Sequence, residues 1–211
     1  MNYLDLVNGV LTRLREPMTP TVSVVQDPVV NLAKDFVNDA KRYVENAHGW
    51  NATRKIWQFG TEDTVSSYTL DETSGGARIT GVEVDGHVLE QWDLKALIAG
   101  EMRFGKPYRW AWEGTDDSGN IMMRLDPAPK GVYPVTVLGW RVLPDLKRDT
   151  DILRLPDQPV LYYALALAAR ERGEVGGQTA QEIFAMAQQY ITDAIALDAA
   201  LSPTEFIWEA V

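Results

Sequence analysis

Apolar residues open the chain at helical spacing. Leu4, Val7, Leu11 and Leu14 lie three or four positions apart, the period that gathers side chains on one face of an α-helix. The pattern stops at Glu16-Pro17, where the proline ring disfavours a helical residue before it. The spacing predicts a first helix over residues 2–15, followed by an extended connection, "MTPTVSVVQ". Asp27-Pro28 then reads as an N-cap with proline at the first helical position. Val29, Ala33, Phe36, Ala40, Tyr43, Val44 and Ala47 carry the stripe of a second helix that ends at Gly49.

From Arg54 the period shortens. "KIWQFG" and "SSYTL" are β-type runs, and "RITGVEVDGHVLEQW" holds Asp85-Gly86 between two alternating segments, the signature of a hairpin. A short helix is expected over residues 93–99. "YRWAWEG" aligns Tyr108, Trp110 and Trp112 on one strand face, "TDDSGN" turns, and "IMMRLD" returns. "YPVTVLGWRVLP" is a further strand, with Val135 and Val137 facing away from Thr136 and Leu138.

Helical spacing resumes in "LPDQPVLYYALALAARERG", apolar nearly all round and therefore buried on most sides. Gly173, Gly176 and Gly177 break it, and "TAQE" at residues 179–182 reads as a capping box opening a last helix. Ile183, Ala187, Tyr190, Ile191, Ala194 and Leu197 form its stripe. Ser202, Pro203 and Glu205 repeat a helix-start signal in a segment too short for a stable isolated helix. The expected fold is α+β. A four-helix bundle, residues 1–53 with 146–201, carries a β-rich insertion, 54–145, between helices two and three. An extended or short-helical C-terminal tail, 202–211, completes it.

Composition narrows the function. The 211 residues are 45% hydrophobic and 24% charged, enough to bury a core, and no apolar run approaches the roughly 18 residues of a membrane span. The N-terminus lacks the basic start, apolar run and cleavage site of a secretory signal, so the first methionine is expected to begin the working protein, made in the cytoplasm. The chain has no cysteine, which removes disulfides, thiolate nucleophiles and most structural zinc sites. Its net charge of -10 has the wrong sign for gripping phosphates through counterion release.

Candidate chemistry is sparse. His48 falls in the last turn of the second helix, where an imidazole suits the negative end of the macrodipole, and His87 flanks a turn. Two histidines without a thiol give no metal-ligand spacing. Glu62-Asp63 and Asp116-Asp117 lie in polar turns, where adjacent carboxylates face water. "GEVGGQT" lacks the lysine and the preceding strand of a phosphate loop and reads as a turn between helices. Tyr108, Trp110 and Trp112 suit a half-buried sheet better than a stacking platform. No catalytic residue, cofactor site or metal site is expected, and the chain is read as a non-enzyme. One rival reading is a monomeric binding module whose aromatic sheet holds a sugar, peptide or base. The tail, with Phe206, Ile207, Trp208 and Val211 following Ser202, Pro203 and Glu205, has the composition of a segment that orders on a partner.

Three stretches carry a resemblance: "VNDAKRYVENAHGWNATRK", a helix closing on Gly-Trp-Asn before the first strand; "GKPYRWAWEG" followed by "IMMRLDPAP"; and "LPDQPVLYYALALAARERG". Together they resemble the head-to-tail adaptor proteins of tailed bacteriophages, similar to the tail tubular protein A class of short-tailed phages. The likeness covers most of the chain. It implies a structural virion protein at the head-tail junction, forming a ring with itself, as a dodecamer, between the portal protein and a tail or nozzle protein. DNA would pass through the ring without specific binding, and no membrane is involved. It also implies a portal-docking role for Ser202, Pro203, Glu205, Phe206, Ile207, Trp208 and Val211, with the first, second and last helices as candidate ring interfaces.

Overall fold

The computed structural model describes residues 1–23, 26–99, 103–172 and 180–201. Two helices come first, α1 (Tyr3–Arg13) and α2 (Pro28–Ala47). Strands β1 (Arg54–Gly60), β2 (Ser67–Thr69), β3 (Ala77–Val84), β4 (His87–Val88) and β5 (Glu90–Gln91) precede a short α3 (Leu94–Ile98). Then follow β6 (Phe104–Gly105), β7 (Arg109–Thr115), β8 (Ile121–Asp126), β9 (Ala128–Pro129) and β10 (Pro134–Arg141), and finally α4 (Asp157–Arg172) and α5 (Ala180–Ala199). The chain divides into a helical unit, Met1–Ala52 with the chain from Asp145 onward, and a β unit, Thr53–Pro144.

In the helical unit both early helices start where local chemistry dictates. Asn2 accepts the Asp5 N–H at 2.7 Å while the Asp5 carboxylate accepts the Asn2 N–H at 3.4 Å, a reciprocal cap. Asp27 accepts the Val29 N–H at 2.8 Å beside Pro28. The centre is α4, whose apolar residues lie on all sides and which packs against α1, α2 and α5. Leu6, Val10, Val37, Val44, Leu161 and Ala164 belong to its core. At Gly9, α1 approaches so closely that a Cβ there would meet Leu161 Cδ1 at 3.0 Å. Adjacent tyrosines of α4 both pack on α5. Tyr163 stacks on Tyr43 of α2 at 4.1 Å and meets Phe184 of α5 edge-on, and Tyr162 packs on Tyr190 of α5. Within α2, Lys41 and Glu45 form a buried ion pair at 3.0 Å.

Among its described residues the β unit holds three sheets: β1-β10-β3-β4, β2-β8-β7-β5 and the two-stranded β6-β9. Asp85 and Gly86 both take positive φ, 50° and 76°, as a two-residue hairpin turn between right-twisted strands requires. Alternation along the strands delivers Trp57, Val82, Trp110, Met123, Leu125 and Val137 from both four-stranded sheets to one core.

These observations overturn the expected four-helix bundle with a β-rich insertion. Among the described residues there are five helices and three sheets in a mixed α+β protein. The physical reasons are two. The strand region buries a core of its own, so it is a folded body and no mere insertion. The uniformly apolar α4 gathers α1, α2 and α5 around itself, where a bundle would have each helix lend one stripe to a shared axis. The tail, 202–211, lies outside the described residues, as do Gly173, Gly176, Gly177 and Thr179 of the expected turn and cap. Among the described residues no helix is long and apolar enough to cross a membrane.

Candidate functional site

The stretch that closes α2 is held by the far end of α5. His48 leaves the helix in extended conformation, φ -153° and ψ 155°. Trp50, only 1% exposed, folds back so that its Nε1–H donates to the Val44 carbonyl at 2.8 Å, satisfying one of the acceptors a helix end leaves open. Asp198, near the C-terminus of α5, then collects the chain. Its carboxylate accepts the Asn51 backbone N–H at 3.0 Å, its carbonyl accepts the Asn51 Nδ2 at 2.9 Å, and His48 Nε2 lies 3.3 Å from its Oδ2. The His48 ring also meets Trp50 edge-on at 5.1 Å.

A histidine beside a carboxylate is two thirds of a nucleophile triad, but among the described residues no hydroxyl is hydrogen-bonded to His48. The arrangement is a latch. Sequence reasoning placed His48 at a helix end and missed Asp198. One signal was available, because a carboxylate in the last turn opposes the helix macrodipole and calls for a compensating partner.

The other candidate groups are spread over the β unit. His87 is exposed on β4. Asp116 accepts the N–H groups of Ser118 and Asn120 at 2.9 and 2.7 Å, building the β7–β8 turn, while Asp117, Glu62 and Asp63 are exposed. Asp85 is paired with Lys106 at 2.7 Å, which holds its carboxyl below the usual range. Among the described residues no group of three or more His, Asp or Glu side chains could hold a metal ion. An open cleft of ≈ 530 Å³ at the Gly60 end of β1 is lined by residues such as Gln58, Phe59, Val132 and Thr136, with no titratable group among its lining.

The aromatic strand is core. Trp110 is 4% exposed and belongs to the β-unit cluster, and Trp112 packs edge-on against it at 5.4 Å. Trp110 is too buried to serve as the stacking platform a base or sugar would need. Tyr108 and Trp92 instead flank a cation, the Arg109 guanidinium, at 4.6 and 3.9 Å from their ring centres. The expected portal-docking residues, Ser202, Pro203, Glu205, Phe206, Ile207, Trp208 and Val211, lie outside the described residues.

With no catalytic constellation assembled at these positions, comparison supplies the functional class. A family model described as SU10 adaptor protein matches residues 1–205. No curated protein matches the chain.

Proposed function

The chain belongs to the SU10 adaptor protein family, and from that premise we propose that it is a structural virion protein joining the head of a bacteriophage to its tail. Copies form a ring, with a dodecamer as the expected size, between the portal protein and a tail or nozzle protein, and the ring completes the DNA exit channel. The observation that carries this reading is the extent of the family match. It runs through both the helical and the β unit, so the likeness is one of architecture and not of a local motif. The physical chemistry is compatible: a conduit for DNA must not hold the duplex, and a net charge of -10 disfavours phosphate binding.

The portal contact is assigned to residues 202–211. Phe206, Ile207 and Trp208 supply large apolar groups behind the Ser202-Pro203 helix-start signal, the composition of a segment that folds into a partner's groove. The test is deletion of 202–211 from the full chain, followed by mixing with portal-containing heads and electron microscopy. The truncated chain should keep the wild-type circular dichroism spectrum and leave the heads bare. Heads that still acquire a ring would overturn the portal assignment, and a wild-type chain that never associates with heads or tails would overturn the adaptor reading itself.

A further inference from the structure

We infer that neighbouring copies of this chain meet through two different faces, the outer stripe of α5 on one copy and the outer face of the β1-β10-β3 sheet on the next. The inference deepens the adaptor reading and rests on it for the biological setting.

The sheet face follows from register. Arg54 lies opposite Trp140 and Ile56 opposite Leu138 across β1 and β10, while on the far side of β10 Trp140 faces Arg78 and Leu138 faces Gly81. Alternation sends Trp57, Val135 and Val137 to the core and turns this set outward. One cross-strand row is therefore arginine, tryptophan, arginine, and the next is apolar, with Ile56 54% and Leu138 39% exposed. Gly81 leaves that row open, since a Cβ there would meet nothing within 4 Å. Arg54 and Arg78 are exposed and form no salt bridge among the described residues, although Lys55 and Arg141 beside them both pair with Glu72. The Arg78 guanidinium lies over the Trp140 ring at 5.9 Å. These two rows are basic and apolar, and the next row on the same side, Gln58, Thr136 and Glu83, is polar.

The helix stripe is its complement. The inner side of α5 buries Ile183, Ala187 and Ile191. Its outer side exposes Glu182, Met186, Gln189, Asp193 and Leu197, positions that fall on one stripe at 3.6 residues per turn. A solvated helix face is ordinarily polar, but here Leu197 is 72% exposed. No lysine or arginine occurs from Gly173 to the end of the sequence, so nothing basic on α5 offsets the carboxylates of Glu182 and Asp193 on this side. This stripe is acidic and apolar.

Each copy thus carries both halves of a match, and a second copy answers both at once, which a different protein seated on one face would not. A contact between unlike faces is heterologous, the kind that repeats around a closed ring. Exposed ion pairs bind weakly alone; the apolar rows and the Trp140 and arginine anchors give the contact its area.

Because the chain has no cysteine, the contact can be trapped. Full-length Leu138→Cys and Leu197→Cys proteins are mixed and oxidised. A covalent dimer joining the two variants should form at least tenfold faster than a dimer of either variant with itself. Adding Arg54→Glu and Arg78→Glu to the first protein should lower that yield at least tenfold, and adding Gln189→Lys and Asp193→Lys to the second should restore it to within about twofold, all variants keeping the parent circular dichroism spectrum. No preferred mixed dimer, or a loss that the second reversal fails to restore, would overturn the contact; the latter outcome would assign the sheet face to a different partner. The outcomes for the two readings separate in particles. Chains that fail to crosslink yet still enter tailed particles sink this contact alone, and chains that crosslink yet never enter particles sink the adaptor role alone.

Discussion

Trp50 shows what one side chain does at the end of α2. It is buried, and its indole N–H occupies the Val44 carbonyl. Trp50→Phe keeps most of the ring and removes that donor, so urea unfolding should show a loss of about 1–2 kcal/mol. Trp50→Ala, which also empties the ring's volume, should lose about 3–5 kcal/mol. Asp149 is a second single-residue anchor. Its carboxylate accepts from Thr21 Oγ1 and the Val22 N–H, each at 2.7 Å, and from Ser23 Oγ at 3.3 Å, and these bonds hold it below the ordinary carboxylate range. The N–H groups of Arg148 and Lys147 depress Asp151 in the same way. A carboxyl with a depressed folded pKa contributes stability above its unfolded value, about 3.9, and loses it as pH falls through the folded value. The melting temperature of Asp149→Asn should therefore lie below wild type at neutral pH, with the gap closing as pH drops below about 4; a gap independent of pH would contradict the assignment. The Asp27 cap was legible in the sequence because its partner is two residues away. The Asp149 anchor was not, because the residue it holds is 127 positions distant.

Among the elements, β3 and β10 come closest at Gly139. A Cβ there would lie 2.6 Å from the Arg78 carbonyl oxygen, beside the register shift between Leu138 and Gly139. Gly139→Ala must push backbone against backbone, so it should destabilise the β unit by about 1–3 kcal/mol, read as an earlier loss of β-unit tryptophan signal in denaturant. The long strands and the Asp85-Gly86 hairpin were readable because alternation and turn chemistry are local. Two-residue strands such as β5, β6 and β9 have no period to read, and β5 and β6 pair in parallel with strands far along the chain. The expected bundle failed at this scale for a related reason. A helix apolar all round announces burial but does not say how many neighbours it will collect, and α4 collects three.

For the whole molecule, net charge bears on the proposed role as a DNA conduit. At about 0.15 M salt an acidic chain gains little from counterion release, so duplex DNA should elute from the immobilised protein without retention, and retention that weakens with added salt would contradict a passive conduit. The family match over residues 1–205 agrees with the resemblance drawn from the Gly-Trp-Asn helix end, the "YRWAWEG" strand and the apolar fourth helix. What the sequence determined by itself is the order of the longer helices and strands, the Asp27 cap, the Asp85-Gly86 turn and the kinship, because these depend on residues within about four positions of one another or on wording along the chain. The tertiary structure alone decided that Asp198 latches the end of α2, and that Leu197 and Leu138 stay exposed on acidic and basic faces. Burial is a property of partners brought together from distant parts of the chain, and no local period records which partners those will be.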